Sequence, residues 1–136
     1  MADTVRLVEY FYMTAPQKPG VGAALLNELR QAGVNLLAFS GFPSGRGAQI
    51  DFVPEDAAAF RAAAKKAKWK LAGPKKAFLI SGDDRPGVVG EMLQKLAGAK
   101  INVTAVDAAC AGAGRYGAIL WVKAKDQKRA AKALGL

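Results

Sequence analysis

Apolar residues recur along this chain in two rhythms, and the succession of rhythms occurs twice. Residues 5–14 are rich in β-formers (Val5, Leu7, Val8, Tyr10, Phe11, Tyr12), which predicts a strand. From Val21 the apolar positions move to helical spacing, through Leu25, Leu29 and Ala32, and Gly33 is a natural stop. Residues 34–40 predict a second strand, Pro43-Ser44-Gly45 a turn, and residues 48–53 a third strand. Pro54-Glu55-Asp56 suits a helix start, since acidic groups are favoured at the positive end of a helix. The alanine-rich stretch to Lys68 forms the second helix, and residues 69–72 predict a short fourth strand before Gly73-Pro74.

The second half follows the same plan: strand 77–81, helix 86–99, strand 101–108, turn 112–114, strand 116–124 and helix 125–134. Pro19-Gly20-Val21 returns as Pro86-Gly87-Val88, and Val34-Asn35-Leu36 as Ile101-Asn102-Val103, both at an offset of 67 residues. Phe11 and Phe78 share it, while Gly45-Arg46 and Gly114-Arg115 stand 69 apart, so two residues were gained in a turn. A repeat at this period means two copies of one small fold, expected at 1–73 and 74–136. The order β-α-β-β-α-β predicts an α+β fold of the ferredoxin-like plan in each copy, an antiparallel sheet with both helices on one face. The second copy ends at Leu136 before a fourth strand. An open edge is usually covered, here by the long N-terminal strand or by a second chain. Domains this small have thin cores, so a homodimer is the expected assembly.

Composition excludes most chemistry. The chain is 51% hydrophobic, and no apolar run is long enough to span a bilayer. Met1-Ala2-Asp3-Thr4 lacks the features of a secretory signal, which points to a cytoplasmic protein. There is no histidine and a single cysteine, Cys110. That removes an intrachain disulfide, histidine-based nucleophilic constellations and the usual zinc sites. The eleven acidic residues are scattered, and Asp83-Asp84 is an acidic pair in the recurrent loop that opens a helix. Capping or ligand contact suits that pair better than catalysis. No cofactor, metal site or enzymatic activity is expected.

The recurrent loop is the candidate site. Proline near a helix start fixes φ where its missing N–H costs nothing, and glycine lets a ligand or backbone approach closely. Exposed N–H groups at a helix start favour an anion such as a carboxylate. Asp84 can receive an ammonium, and the Asn102 amide both donates and accepts. Together these are the needs of a zwitterion.

Asp84-Arg85-Pro86-Gly87-Val88, followed by an amphipathic helix and Ala99-Lys100-Ile101-Asn102-Val103, resembles the ACT domain. Gln17-Lys18-Pro19-Gly20-Val21 with Ala32-Gly33-Val34-Asn35-Leu36 is similar but more divergent. The resemblance spans nearly the whole chain as a tandem pair. It implies a regulatory module that binds a free amino acid at an interface between ACT units. Carried over by position, Asp84, Arg85, Pro86, Gly87, Val88 and Asn102 make one motif, and Lys18, Pro19, Gly20, Val21 and Asn35 the other. Gln17 stands where the second copy has Asp84, which weakens the ammonium acceptor there. Both copies use up the chain, so a stand-alone sensor without a catalytic domain is expected, its partner a regulated enzyme or transporter.

Charge supplies the competing reading. Net charge is +9, and twelve of the twenty basic residues fall in two clusters: Arg61, Lys65, Lys66, Lys68, Lys70, Lys75, Lys76, and Lys123, Lys125, Lys128, Arg129, Lys132. Such clusters can neutralise phosphates, and the RNA-recognition motif shares the β-α-β-β-α-β plan. Against RNA or single-stranded nucleic acid, Tyr116 and Trp121 are odd-spaced and point to opposite sheet faces, and Ile119 and Leu120 stand where stacking rings would help. Nucleic acid is therefore not the expected partner, nor is a membrane. A pure protein-interaction module is the remaining alternative.

Overall fold

The computed structural model describes residues 3–136. In chain order its elements are β1 (Thr4–Ala15), α1 (Val21–Gln31), β2 (Leu36–Ser44), β3 (Gly47–Pro54), α2 (Ala57–Lys66), β4 (Ala72–Asp83), α3 (Val88–Gly98), β5 (Ala105–Gly112), β6 (Arg115–Trp121) and α4 (Gln127–Ala133). A short 3-10 turn, Ala124–Asp126, precedes α4. Contacts divide the chain into two units. One is Glu9–Lys75; the other is Lys76–Leu136 with the beginning of the chain up to Val8. The ranges 1–73 and 74–136 would have kept those early residues with the first copy.

Each unit has the ferredoxin-like βαββαβ plan. In Glu9–Lys75 the strands lie in the order β2-β3-β1-β4. β1 pairs antiparallel with β3, Phe11 opposite Phe52, and β2 pairs antiparallel with β3. Phe11, Ile50 and Phe52 share the face that meets Leu25 and Leu29 of α1 and Phe60 of α2. This core is aromatic: the Phe60 ring lies 5.2 Å from both Phe11 and Phe52, and Trp69 stacks on Phe52 at 5.6 Å. The Asp56 carboxylate accepts the Ala59 N–H at 3.1 Å and so caps α2, as the acidic pair before it promised.

In the other unit the order is β5-β6-β4-β1, with β4–β6 and β5–β6 antiparallel. The missing fourth strand is supplied by the start of β1. At twelve residues β1 is long enough to give its second half to one copy and its first to the other. Val5 packs against this unit's core, built from Phe78, Ile80, Val88, Met92, Leu96, Leu120, Ala130 and others. Val88, Met92 and Leu96 follow the i, i+4 spacing that puts one helix face inward.

Strand ends differ from the sequence expectation for two reasons. Residues 69–72 are not a separate strand; the fourth strand of the first copy begins at Ala72 and continues without a break as β4. The second strands begin late, at Leu36 and Ala105, because the residues before them terminate helices. After α1, Val34 N–H bonds back to Leu29 C=O, and after α3, Ile101 N–H bonds to Leu96 C=O. The same closure recurs at Trp69 to Ala64 and Leu136 to Ala131, so all four helices end alike, each with a left-handed residue: Gly33, Lys68, Lys100 and Gly135.

Candidate functional site

The two Pro-Gly loops share one backbone. Gly20 and Gly87 are the N-cap residues of α1 and α3, at φ 89° and 78°, and neither helix receives a side-chain cap. That left-handed region favours glycine. Val21 N–H reaches Lys18 C=O at 3.4 Å, and Val88 N–H reaches Arg85 C=O at 3.3 Å. Ala24 N–H bonds Gly20 C=O and Glu91 N–H bonds Gly87 C=O, both at 3.0 Å.

The side chains around the second loop build a site. A cavity of about 300 Å³ is lined by Asp84, Arg85, Gly87, Val88, Val89 and Gly90 from the loop and α3. Ala108, Ala109 and Cys110 of β5 and Tyr116 of β6 complete it. Val89 and Gly90 belong to the first turn of α3, where N–H groups have no intrahelical acceptor. The loop is fixed at its start by Asp84 N–H bonding Gly114 C=O at 2.8 Å. The Asp84 carboxylate meets the Cys110 thiol and raises its pKa, so the thiol stays protonated and is a poor nucleophile.

Arg85 lines the same cavity but is already engaged. Its Nη2 lies 3.1 Å from Asp3 Oδ2 and 2.8 Å from Glu91 Oε2, and its Nη1 donates to Asp83 C=O at 3.1 Å. A longer contact of 3.4 Å joins Nη1 to Asp3 Oδ1. Glu91 first and then Asp3 raise the guanidinium's pKa, and Arg85 holds both carboxyls below their usual range. The Asp3 side chain is only 11% exposed, and a side chain at Gly82 would run into it. The Tyr116 hydroxyl is buried beside Asp3 without closing a hydrogen bond of good geometry. Burial, reinforced by that carboxylate, pushes its pKa up to about 12. Arg115 pairs with Asp83 at 2.9 Å on the rim and lowers the Asp83 carboxyl's pKa.

Of the residues expected from sequence, the cavity gathers Asp84, Arg85, Gly87 and Val88. Pro86 is exposed in the loop, and Asn102 is exposed beyond the far end of α3; neither is in the lining. Asn102 precedes β5 instead of opening it. In the first copy, Lys18, Pro19 and Gly20 are exposed and Val21 packs against the aromatic core. Asn35 is at the opposite end of α1, where its side-chain amide donates to the Glu55 carboxylate at 2.9 Å and its backbone carbonyl accepts the Glu55 N–H at 3.0 Å. A larger hollow of about 400 Å³ lies there, lined by Leu26, Leu29, Arg30, Gly33, Val34, Asn35 and Leu36. It holds one expected residue, already committed to Glu55, whereas the smaller cavity holds four. Asp3, Glu91, Cys110 and Tyr116 were not expected at this site. A six-residue spacing hints at Arg85–Glu91, but nothing in the chain signals a partner 82 positions from Arg85.

No protein-family model matches the chain, and no curated protein matches it. Solved structures do. A protein from Bacteroides thetaiotaomicron superposes with a TM-score of 0.78 at 14% identity, over 94% of this chain and 88% of that one. The ligand-free regulatory subunit of aspartate kinase from Thermus thermophilus gives 0.67 at 17% identity, over 98% and 95%. The regulatory subunit of aspartate kinase from Thermus flavus gives 0.61 at 17%, with the same coverage. These likenesses support an ACT-like fold along nearly the full chain.

Proposed function

We propose that this chain is a non-catalytic regulatory protein that binds a free amino acid in the cavity beside the loop 84–90. The observation that carries the reading is the convergence on one small cavity of a carboxylate, Asp84, and the first turn of α3. Asp84 would take the ligand's ammonium, and the N–H groups of Val89 and Gly90 its carboxylate. Val88, Val89, Ala108 and Ala109 would wall the side chain. A volume of about 300 Å³ suits a small ligand. Two of the similar structures are themselves regulatory subunits. Among the described residues no group of acids and cysteine is arranged to hold a metal.

The protein would act on an enzyme or a transporter by changing shape or assembly, to the extent that the ligand prefers one state. A homodimer fits the proposal, because β5 stays exposed along its length after β1 has closed the other side of its unit. Among the described residues no helix is long and apolar enough to cross a membrane. The rings that a nucleic-acid platform would need are buried: Phe78, Tyr116 and Trp121 are 1%, 4% and 8% exposed.

Thermal unfolding against the twenty amino acids, with a short single-stranded RNA as control, tests the proposal. At a hundredfold excess over its dissociation constant a ligand stabilises the native state by about 2.7 kcal/mol. One chemically related group of amino acids should raise the melting temperature, and Asp84→Ala should abolish the shift while Gln17→Ala leaves it. A shift with RNA alone would make the basic clusters the functional surface.

A further inference from the structure

Among the described residues Arg85 is the only cationic side chain lining the cavity, yet its guanidinium is turned to protein carboxylates. Glu91 is 55% exposed, as an ordinary surface partner would be. Asp3 is different: its side chain is 11% exposed, wedged where Gly82 leaves no room for a Cβ and beside the buried Tyr116 hydroxyl. A carboxylate so enclosed needs its cation, because an unpaired buried charge is costly. The pair therefore holds from both ends. Asp3 also stands at the start of the strand that completes this unit's sheet, so that strand is joined to the loop that frames the cavity.

We infer that Asp3 is a specificity-determining positioning residue: by engaging Arg85 it denies the cavity a cation and closes it to ligands with a second carboxylate. The inference rests on the proposed amino-acid site and concerns which amino acids that site refuses. With Arg85 latched, the lining presents the Asp84 carboxylate beside the Cys110 thiol, small apolar walls and the backbone donors of the first turn of α3. Aspartate and glutamate would bring a second negative charge against Asp84 with nothing to receive it. Neutral side chains meet no such penalty. The first copy contains no such latch, since Lys18, Ala24 and Gly47 occupy the positions of Arg85, Glu91 and Tyr116 in the repeat.

The test is calorimetric titration of L-glutamate and L-valine into the intact chain and into Asp3→Asn, Asp3→Glu, Arg85→Gln and the double variant D3N/R85Q. Amide exchange of residues 83–90 is followed in parallel, without ligand. The intact chain should give no heat with glutamate. D3N should gain glutamate affinity by about tenfold or more, the scale of one charge-assisted hydrogen bond. D3N/R85Q should lose that gain, and Asp3→Glu should keep the original preference. Exchange at 83–90 should quicken in D3N. Unchanged exchange overturns the latch whether or not any amino acid binds. Faster exchange without glutamate binding overturns the specificity role. Glutamate binding to the intact chain that R85Q weakens shows Arg85 already serving the ligand, and overturns the inference outright. Failure of every amino acid to bind any variant defeats the proposed function, and the specificity role with it. If D3N does not fold, Asp3→Ser replaces it in both measurements.

Discussion

The loops at Lys18-Pro19-Gly20-Val21 and Arg85-Pro86-Gly87-Val88 have nearly the same backbone and different surroundings. Both enter a helix through a left-handed glycine, and both close with the same two backbone hydrogen bonds. Around the second are Asp84, an arginine held by Asp3 and Glu91, and a cavity. Around the first are Gln17 and an exposed Lys18 and Ala24. Pro-Gly therefore sets the path of the chain, and the flanking side chains decide whether that path becomes a site. A repeat can keep its framework in both copies while only one keeps the chemistry.

The strongest way to break this contrast is at the shared strand. Deleting the chain through Val8 removes both the fourth strand of the second unit and Asp3. Amide protection should collapse across β4 to α4, and an intact exchange pattern there would show that β1 is dispensable. Core truncations come next. Phe52→Ala in the aromatic core should cost about 3–5 kcal/mol and Leu96→Ala in the other about 2–5 kcal/mol by denaturant unfolding, since both side chains are fully buried. Arg85→Gln should speed exchange at 83–90, while Lys18→Gln should leave 16–21 unchanged. Equal effects would erase the distinction between the loops.

Acid should act on the two units with opposite sign. Asp3, Glu91 and Asp83 have folded pKa values below their reference values of 3.8, 4.5 and 3.8. Their contribution is present above those references and is lost as pH falls through the folded values. Asp51, 6% exposed and with one hydrogen bond from Gln49 at 2.9 Å, has its pKa raised by burial. It opposes folding at neutral pH, and that cost is relieved as pH falls through the raised value. Asp51→Asn should remove the relief, and Arg85→Gln should remove the acid-induced loss at 83–90; melting curves and exchange against pH would show either failing. The smallest effect expected is at the helix ends. Lys68→Gly and Lys100→Gly should each stabilise by about 0.5–1 kcal/mol, because their φ of 61° and 59° suits glycine.

The repeat and the βαββαβ order were legible in the sequence because periodicity and punctuation are local. The loop was legible too, down to Asp84 and Gly87. What escaped depended on distance along the chain. The cover of the second copy's open edge was half legible: the missing last strand pointed to the long N-terminal strand or to a second chain, and the start of β1 takes that place. Asp3 finds Arg85 only after β1 has taken its place in the sheet. Asn35 and Asn102 each follow a helix terminus of the same kind, and for Asn35 that position leads to Glu55 rather than to the loop. A recurring residue can mark a recurring joint as readily as a recurring ligand.

Amide chemical-shift mapping of the intact chain during titration with the amino acid that most raises its melting temperature is the most direct test. The account predicts saturable shifts at residues 84–90 and 108–110, with residues 17–21 still. Shifts centred on 17–21, or on the hollow around Arg30 and Asn35, would contradict it.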